Sequence, residues 1–309
     1  MQQLQKATRK KVKIKVGMQG SAGSGKTIGA LLLAYGITKD WNKIAVIDTE
    51  NESASLYVNR ELPTGDVIGE FQTLPLKSPY DPETCIEAIN VCIKDPSVDV
   101  IIFDSISHEW NGRGGILDIH EQMGKMNDML KWSKLTPRHN KFVDAILQAP
   151  KHMVLCMRSK QDYVMKEQAN SQGKMVLIPE KVGLKAVTKD GVDYEFTLNF
   201  DIDINNFATA VKDRTALFKG KPEFKITPKT GGTIIEWCET GVEVKQPEPL
   251  PTNNQLADFY ETWQKEVDSM DTATKLRQLY DVHAATVSED EKLKAMFKTK
   301  QATFKIAAV

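Results

Sequence analysis

A glycine-rich run between two apolar segments constrains the fold of this chain more than any other feature. It consists of Gly20, Ser21, Ala22, Gly23, Ser24, Gly25, Lys26 and Thr27. The run matches G-x-x-x-x-G-K-[ST] at every fixed position, and an apolar helix pattern, IGALLLAYGI, follows directly. Such glycines let backbone N–H groups turn inward around a phosphate, and the helix adds the positive end of its dipole. The sequence therefore predicts a phosphate-binding strand–loop–helix unit.

Two more residues extend this prediction to a triphosphate and its metal. Lys26 would place a cation on the β- and γ-phosphates, and Thr27 would offer its hydroxyl to Mg²⁺. Asp104 ends the apolar run VIIFD, which is the Walker B arrangement of a Mg²⁺-holding acid at a strand end. We therefore expect ATP and Mg²⁺ as ligands, with Thr27 and Asp104 on the metal side.

Strand and helix patterns alternate through the first half of the chain. Strands are expected at 12–16, 44–48, 98–104 and 153–157, and helices after Thr27, from Asp81-Pro82-Glu83, at 116–130 and at 142–147. Continuous apolar runs are typical of strands covered on both faces. The alternation predicts an α/β fold with a twisted, mainly parallel sheet flanked by helices.

The second half of the chain changes character. The stretch 158–181 is polar and is expected to be a loop, whereas 182–237, including TIIEW, is expected to form an antiparallel β extension. The Pro-rich KQPEPLPTNN then predicts a linker. We expect a core at 1–244 with a basic tail at 1–11, a linker at 245–254, and a small helical domain at 255–309.

The tail admits two interpretations. Its basic residues, with no acid before Val16, are Lys6, Arg9, Lys10, Lys11, Lys13 and Lys15. They form either a solubilising tail that runs into a half-buried edge strand, or an arm that contacts phosphates.

Composition excludes several classes of protein. The formal net charge is zero, so nucleic-acid binding would depend on local patches. No apolar run approaches the roughly 18–20 residues of a membrane span, and the N-terminus lacks a signal-peptide core. We expect no membrane association and a cytoplasmic location. Cys85, Cys92, Cys156 and Cys238 have no C-x-x-C spacing, which disfavours a zinc site.

Two acids could activate the attacking water. Glu50 closes IDTE, and Glu109 follows Asp104 in the next segment. A strand end next to the phosphate loop faces the γ-phosphate in such sheets, so Glu50 is the better candidate.

The order of these segments resembles one family. GSAGSGKT, IDTEN, VIIFDS and MVLCM with a polar segment after it are similar to the RecA-type recombinase ATPase core. The resemblance implies that Glu50 is the catalytic base. It also implies that Lys212 and Arg214, in VKDR, reach across a subunit interface and stabilise the neighbour's γ-phosphate. From the residues alone, these cations could equally lie on the surface of an edge strand.

DSISHEW, VGLKAVTKDGVDYEF and AVKDRTALFKGK more closely resemble the phage-encoded, RecA-like ATPases of the single-strand annealing type. This resemblance covers residues 12–240. RecA-type proteins usually carry a Gln at the end of the strand expected at 153–157, whereas this chain has Arg158 and Ser159 there, with Gln161 further on.

In the RecA-like core, the segments corresponding to 107–115 and 158–181 face DNA. The candidate contacts, for base stacking and for phosphates, are Trp110, Arg113, Arg158, Lys160 and Lys166. Acids also occur in the second segment, so a solvated flexible loop is the alternative there.

The resemblance implies an ATPase that binds single-stranded DNA and promotes strand annealing in phage recombination, in the bacterial host cytoplasm. It implies a head-to-tail homo-oligomer, ring or filament, and a single-strand-binding protein as a further partner. One alternative is a helicase, translocase or loader of related fold. Another is a protein-binding module that ATP switches, with its partner on the helical tail.

Overall fold

The computed structural model describes residues 6–62, 65–169, 175–242 and 253–306. The linker predicted at 245–254 lies outside these residues except at 253–254. The chain divides into two compact units, Met1–Glu243 and Val244–Val309.

The first unit is built on a nine-stranded sheet with the order β3-β2-β4-β5-β1-β7-β8-β9, in which β6 pairs with β5. The strands are β1 Lys15–Gly20, β2 Ile44–Asp48, β3 Gln72–Pro75, β4 Val100–Asp104, β5 His152–Ala169, β6 Met175–Ala186, β7 Leu198–Ile202, β8 Phe207–Asp213 and β9 Phe224–Lys225. The pairings from β3 through β7 are parallel. Those of β6, β8 and β9 are antiparallel. The predicted α/β fold with an antiparallel extension is confirmed.

Helices cover both faces of this sheet. They are α1 Lys26–Thr38, α2 Pro82–Lys94, α3 Ser107–Asn111, α4 Ile116–Gln122, α5 Asp128–Gln148 and α6 Pro228–Glu239. One apolar core joins α1 and α6 to the sheet through residues such as Leu31 and Ile234. A second joins α2 and α5 to the other face through residues such as Ile89 and Phe142. Because the strands from β3 through β7 run parallel, their carboxyl ends lie along one side of the sheet, which we call its open edge.

The first strand is central rather than half-buried. β1 lies between β5 and β7, and all of its residues are buried, whereas Val12 is outside the strand and exposed. Lys15 is accommodated because its ammonium donates hydrogen bonds to the carbonyl oxygens of Ala149 and Lys151, each at 2.7 Å. The expected edge strand with lysines facing water is therefore wrong.

The segment TIIEW is helical, which corrects the predicted strand. It belongs to α6, where Pro228 occupies the first turn and Thr227 forms a capping box with Thr230. Gly36 of α1 and Gly231 of α6 face each other so closely that a Cβ on either would collide with the other helix's backbone. These two glycines therefore permit close packing of α1 on α6.

Two other segments also differ from expectation. Residues 158–181, predicted as a loop, belong mostly to a long hairpin in which Ser159 to Ala169 pair with Ala186 to Met175. The helix expected at 116–130 is divided, because α4 ends at Gln122 and α5 begins at Asp128. The helix expected at 142–147 is the last part of α5, which also contains Pro137.

The described part of the basic tail is tied to α6. The Arg9 guanidinium lies 4.9 Å from the ring centroid of Trp237 and donates to the Trp237 carbonyl at 3.0 Å. Lys11 forms an ion pair with Glu239 at 2.6 Å. Both interpretations of the tail treat its basic side chains as available to solvent or phosphate, whereas Arg9 and Lys11 contact α6.

The second unit is helical. Its helices are α7 Asn253–Ser269, α8 Ala273–Val282, α9 Ala284–Glu289 and α10 Glu291–Ile306. Its core contains Val267, Leu276, Val287, Leu293 and Phe297. Among the residues that the structure describes, no helix combines the length and apolar character of a membrane span.

Candidate functional site

The glycine-rich run forms the turn between β1 and α1. Gly20 ends the strand, and Lys26 and Thr27 begin the helix. Gly23 and Gly25 have φ values of 77° and 82°, in the left-handed region that side chains with a Cβ seldom adopt. The Lys26 ammonium donates to the carbonyl oxygens of Gly20 at 3.0 Å and Ser21 at 2.8 Å. The local sequence thus produces a loop that wraps toward the start of α1 and holds a cation over itself.

The two residues predicted for the metal lie side by side. The Thr27 hydroxyl donates to Asp104 Oδ2 at 2.5 Å, although the residues lie on different elements. They meet because Asp104 ends β4, and α1 packs on that strand. Burial raises the pKa of Asp104 to about 6, against the opposing effect of the Thr27 hydrogen bond. A cation next to this carboxyl would favour its ionised form.

Glu50 is carried by a turn that Asp48 fixes. Asp48 Oδ1 accepts from the N–H of Glu50 at 2.7 Å, and its Oδ2 accepts from Ala54 N–H at 3.0 Å. Both Glu50 oxygens are held by the Arg158 guanidinium, Oε1 by Nε at 2.9 Å and Oε2 by Nη2 at 2.6 Å. Burial alone would raise the pKa of Glu50, but the bonds and charge of Arg158 outweigh it and lower this pKa.

The other candidate acid, Glu109, lies in a different environment. Its side chain is 1% exposed, and both oxygens lie 3.0 Å from His139 Nδ1 of α5. Burial raises the pKa of Glu109, opposed by its bond to His139. The structure therefore turns Glu109 into the protein interior, while Glu50 stays at the open edge of the sheet.

With this arrangement in view, comparison with known families is informative. Residues 12–225 match the family described as AAA domain. The chain belongs to this AAA domain family. It is therefore a P-loop ATPase, of a kind that binds nucleotide, typically with Mg²⁺. None of the curated proteins matches the sequence.

The residues of this AAA domain fit such a ligand. The Ser24 hydroxyl is buried in the loop without a hydrogen-bond partner among the described residues. Among the described residues, the Lys26 ammonium bonds to the loop carbonyls of Gly20 and Ser21, which phosphate oxygens can replace. Within the described ranges, no group of three or more His, Cys, Asp or Glu could hold a metal by itself. The adjacent hydroxyl of Thr27 and carboxylate of Asp104 suit Mg²⁺, which takes few protein ligands and completes its shell with phosphates and water.

A cavity of about 370 Å³ opens beside the loop of the AAA domain. Its lining includes residues that sequence reasoning missed, namely Tyr57, Leu62, Asn206, Lys225 and Ile226. The size is that of a small-ligand pocket. Tyr57 follows Glu50 in the chain, but β4 and β5 separate β2 from β1, so no local pattern predicts its place beside the loop. Asn206 gave a weak signal, since Asn tolerates the φ of 65° that it adopts between β7 and β8.

Lys212 and Arg214 lie away from the loop 20–27 of their own chain, toward the opposite ends of the strands. Because β8 runs antiparallel to β7, Lys212 aligns with Asn199, whereas Gly20 aligns with Ile202. The difference is roughly 10 Å along the strands. The Lys212 ammonium is buried and has no hydrogen-bond partner among the described residues. The Arg214 guanidinium donates to the Tyr194 carbonyl at 3.2 Å.

The two segments predicted to face DNA begin next to each other. The N–H of Arg158 donates to Ser107 Oγ at 2.9 Å, which joins the start of α3 to β5. Trp110 is half-buried and stacks on Trp132, with ring centroids 5.9 Å apart. Arg113 and Lys160 are exposed. The side chain of Lys166 lies outside the described residues, although its backbone pairs with Ile178 in the hairpin.

Proposed function

We propose that this P-loop ATPase hydrolyses ATP with Mg²⁺ at the loop 20–27 and uses the cycle to act on single-stranded DNA. The convergence of Lys26, Thr27, Asp104 and Glu50 at one edge of the sheet carries the hydrolysis part of this proposal. Lys26 and the loop amides neutralise phosphate charge, and Thr27 and Asp104 hold the metal. Bound Mg²⁺ supplies electrostatic stabilisation of the charge that develops on the phosphates. Glu50 orients the attacking water and accepts its proton.

The proposed substrate is single-stranded DNA, and the proposed outcome is strand annealing in phage recombination. The sequence resemblance over 12–240 supports this, as does the joining of α3 to β5, which brings the starts of both candidate segments together. Arg113 and Lys160 offer exposed cations for phosphates, and Trp110 presents part of an aromatic surface. A single-strand-binding protein is a further proposed partner.

ATPase rates with and without single-stranded DNA, at two salt concentrations, test this proposal. We expect the DNA to accelerate turnover and the acceleration to fall steeply with salt, because phosphate contacts release counterions. Sizing with a non-hydrolysable analogue should show DNA-dependent assembly. If DNA neither accelerates turnover nor causes assembly, the proposed role of DNA is wrong, whereas the proposed ATP hydrolysis is unaffected. Directional unwinding would instead favour a helicase or translocase, and negligible turnover under all conditions would favour an ATP-switched binding module.

We also propose that the protein assembles head to tail, so that Lys212 and Arg214 complete a neighbour's site. Arg214 supports this arrangement, because it is exposed and its N–H donates to the Thr197 carbonyl, before the start of β7 and away from its own loop. Such cations stabilise charge on the transferring phosphoryl group.

Mixing two inactive variants tests the assembly. Lys26→Ala lacks a working loop, and the double variant Lys212→Ala with Arg214→Ala lacks the cations. A mixed head-to-tail assembly contains some interfaces with an intact loop facing intact cations, so mixing should restore turnover. If each variant alone is inactive and the mixture is also inactive, the cations do not act across an interface.

A further inference from the structure

The ion pair between Arg158 and Glu50 engages the group that hydrolysis requires. Two N–H groups of one guanidinium meet the two oxygens of the carboxylate, at 2.9 Å and 2.6 Å. This bidentate geometry is the strongest that an arginine and a carboxylate form. A carboxylate bound in this way is oriented toward the arginine and is a weaker base, so it is poorly placed to take a proton from water.

The backbone of Arg158 is fixed while its side chain is accessible. Its N–H donates to Ser107 Oγ at 2.9 Å, and its carbonyl accepts from the N–H of Val187 at 2.7 Å. The side chain is 44% exposed, against 28% for Glu50. Opening the pair therefore requires only a side-chain rotation, and an anion can reach the guanidinium from solvent.

The other charged and titratable groups near Glu50 leave Arg158 as its direct partner. Lys26 and His108 attract the carboxylate at longer range, and Glu50 in turn raises the pKa of Asp104 and Tyr80. Burial and the charge of Arg158 lower the pKa of His108. The His108 ring stacks on Tyr80 and its Nδ1 lies 2.7 Å from Thr49 Oγ1, so it is engaged elsewhere.

We propose that Arg158 is a positioning residue that holds Glu50 in a resting arrangement, and that hydrolysis requires this pair to open. The proposal rests on the proposed role of Glu50 as the base. Phosphate groups of single-stranded DNA, arriving where β5 leaves the sheet, compete for the guanidinium and release Glu50. Arg158 thus limits ATP turnover when no DNA is bound.

The chain contains a matched control for this pair. Arg138 of α5 binds Glu83 of α2 with the same two nitrogens, at 2.9 Å and 2.6 Å, and both residues are partly exposed. Neither belongs to the proposed site. Arg138→Gln therefore removes an equivalent ion pair and leaves Glu50 and Arg158 as they are.

The test compares the parent protein with Arg158→Gln, Arg158→Lys and Arg138→Gln in steady-state ATPase assays across pH, first without DNA. We expect Arg158→Gln to raise kcat about twofold to fivefold, the range set by the strength of a partly exposed ion pair. The acidic limb of its kcat profile should move to higher pH, because the pKa of Glu50 rises when its partner is lost. Arg158→Lys should lie between, since lysine cannot form the bidentate pair. Arg138→Gln should match the parent.

Added single-stranded DNA then separates this proposal from the proposed function. In Arg158→Gln the DNA-dependent acceleration should shrink, because Glu50 is already free. A result in which DNA fails to accelerate the parent, while Arg158→Gln still has a higher kcat than the parent, would support the resting pair and contradict the proposed role of DNA. If Glu50→Gln keeps parental turnover, the proposed role of Glu50 falls first.

Two results would overturn the proposal itself. One is a kcat of Arg158→Gln at or below that of the parent. The other is an acidic limb that stays in place. Thermal unfolding and ATP binding establish that each variant folds, and if Arg158→Gln does not, the pH profile of Arg158→Lys decides the question.

Discussion

The environments of Glu50 and Glu109 show how two acids with similar sequence signals are separated by folding. Each follows a buried parallel strand of the sheet, and each has a basic partner. Glu50 leaves β2 in a turn fixed by Asp48 and stays at the open edge with an exposed arginine. Glu109 lies on α3, which turns it beneath α5 onto buried His139. A reactive carboxylate needs access to water, whereas a buried, paired one contributes to stability, so location rather than residue type distinguishes them.

The largest expected contrast is in turnover. Glu50→Gln should lower kcat by roughly 10²-fold to 10⁴-fold, because glutamine cannot accept the proton of the attacking water. Glu109→Gln should stay within a few-fold of the parent, since its side chain is buried away from the loop. Steady-state ATPase assays on both variants, with ATP affinity measured alongside, check this. Equal losses would break the distinction between the two acids.

The order should reverse for stability. Glu109→Ala leaves buried His139 without its partner, which should cost about 1–3 kcal/mol in the free energy of unfolding. Glu50→Ala loses a partly exposed ion pair and should cost about 1 kcal/mol or less. Urea denaturation of the two variants and the parent measures both values. A larger loss for Glu50→Ala would contradict the environments described above.

The smallest effects are in the pH dependence of stability, and they have opposite signs. The folded-state pKa of Glu109 is raised above its usual 4.5, so its contribution to stability is full below that value and is lost as pH rises through the folded pKa. The folded-state pKa of Glu50 is lowered, so its contribution is present above 4.5 and is lost as pH falls through the folded pKa.

Urea denaturation between pH 3.5 and 7, conducted in roughly half-unit steps, separates the two. Relative to Glu109→Gln, the parent should lose stability as pH rises from 4.5. Relative to Glu50→Gln, it should lose stability as pH falls below 4.5. Differences of the same sign would show that the environments of the two carboxyls had been misassigned.

Local patterns predicted much of the fold. The loop 20–27, strands β2 and β4, and the start of α2 depend on short-range signals such as the Asp81 cap, and the structure has them as expected. The central position of β1 was missed because the alternation of apolar residues and lysines over 12–16 indicates a half-buried strand. Lys15 can be buried because it donates to the carbonyl oxygens of Ala149 and Lys151, which lie between α5 and β5 and are distant in sequence. The close approach of α6 to α1 at Gly36 and Gly231 likewise joins residues distant in sequence.

The candidate site likewise contains contacts that local patterns predict and contacts that they do not. The motif brings Thr27 within reach of Asp104, and the structure has them 2.5 Å apart. The pairing of Arg158 with Glu50 joins residues 108 positions apart, and no local pattern encodes it. The resemblance predicts Arg158 as a DNA contact, which stays a prediction, but it gives no sign of the contact with Glu50. Sequence reasoning found groups that a motif places together and missed those that meet only through the sheet.

The central claim is that residues 20–27 hold a triphosphate and its metal. Calorimetric titration of ATP with Mg²⁺ into Lys26→Ala, the parent and Lys43→Ala tests it most directly. Lys43 is an exposed lysine that forms an ion pair with Asp99. It lies just before β2, at the end of that strand opposite Glu50, and serves as the matched control. We expect Lys26→Ala to lose most of its affinity for ATP or its turnover, and Lys43→Ala to match the parent. A Lys26→Ala protein that binds and hydrolyses ATP as the parent does would contradict the account.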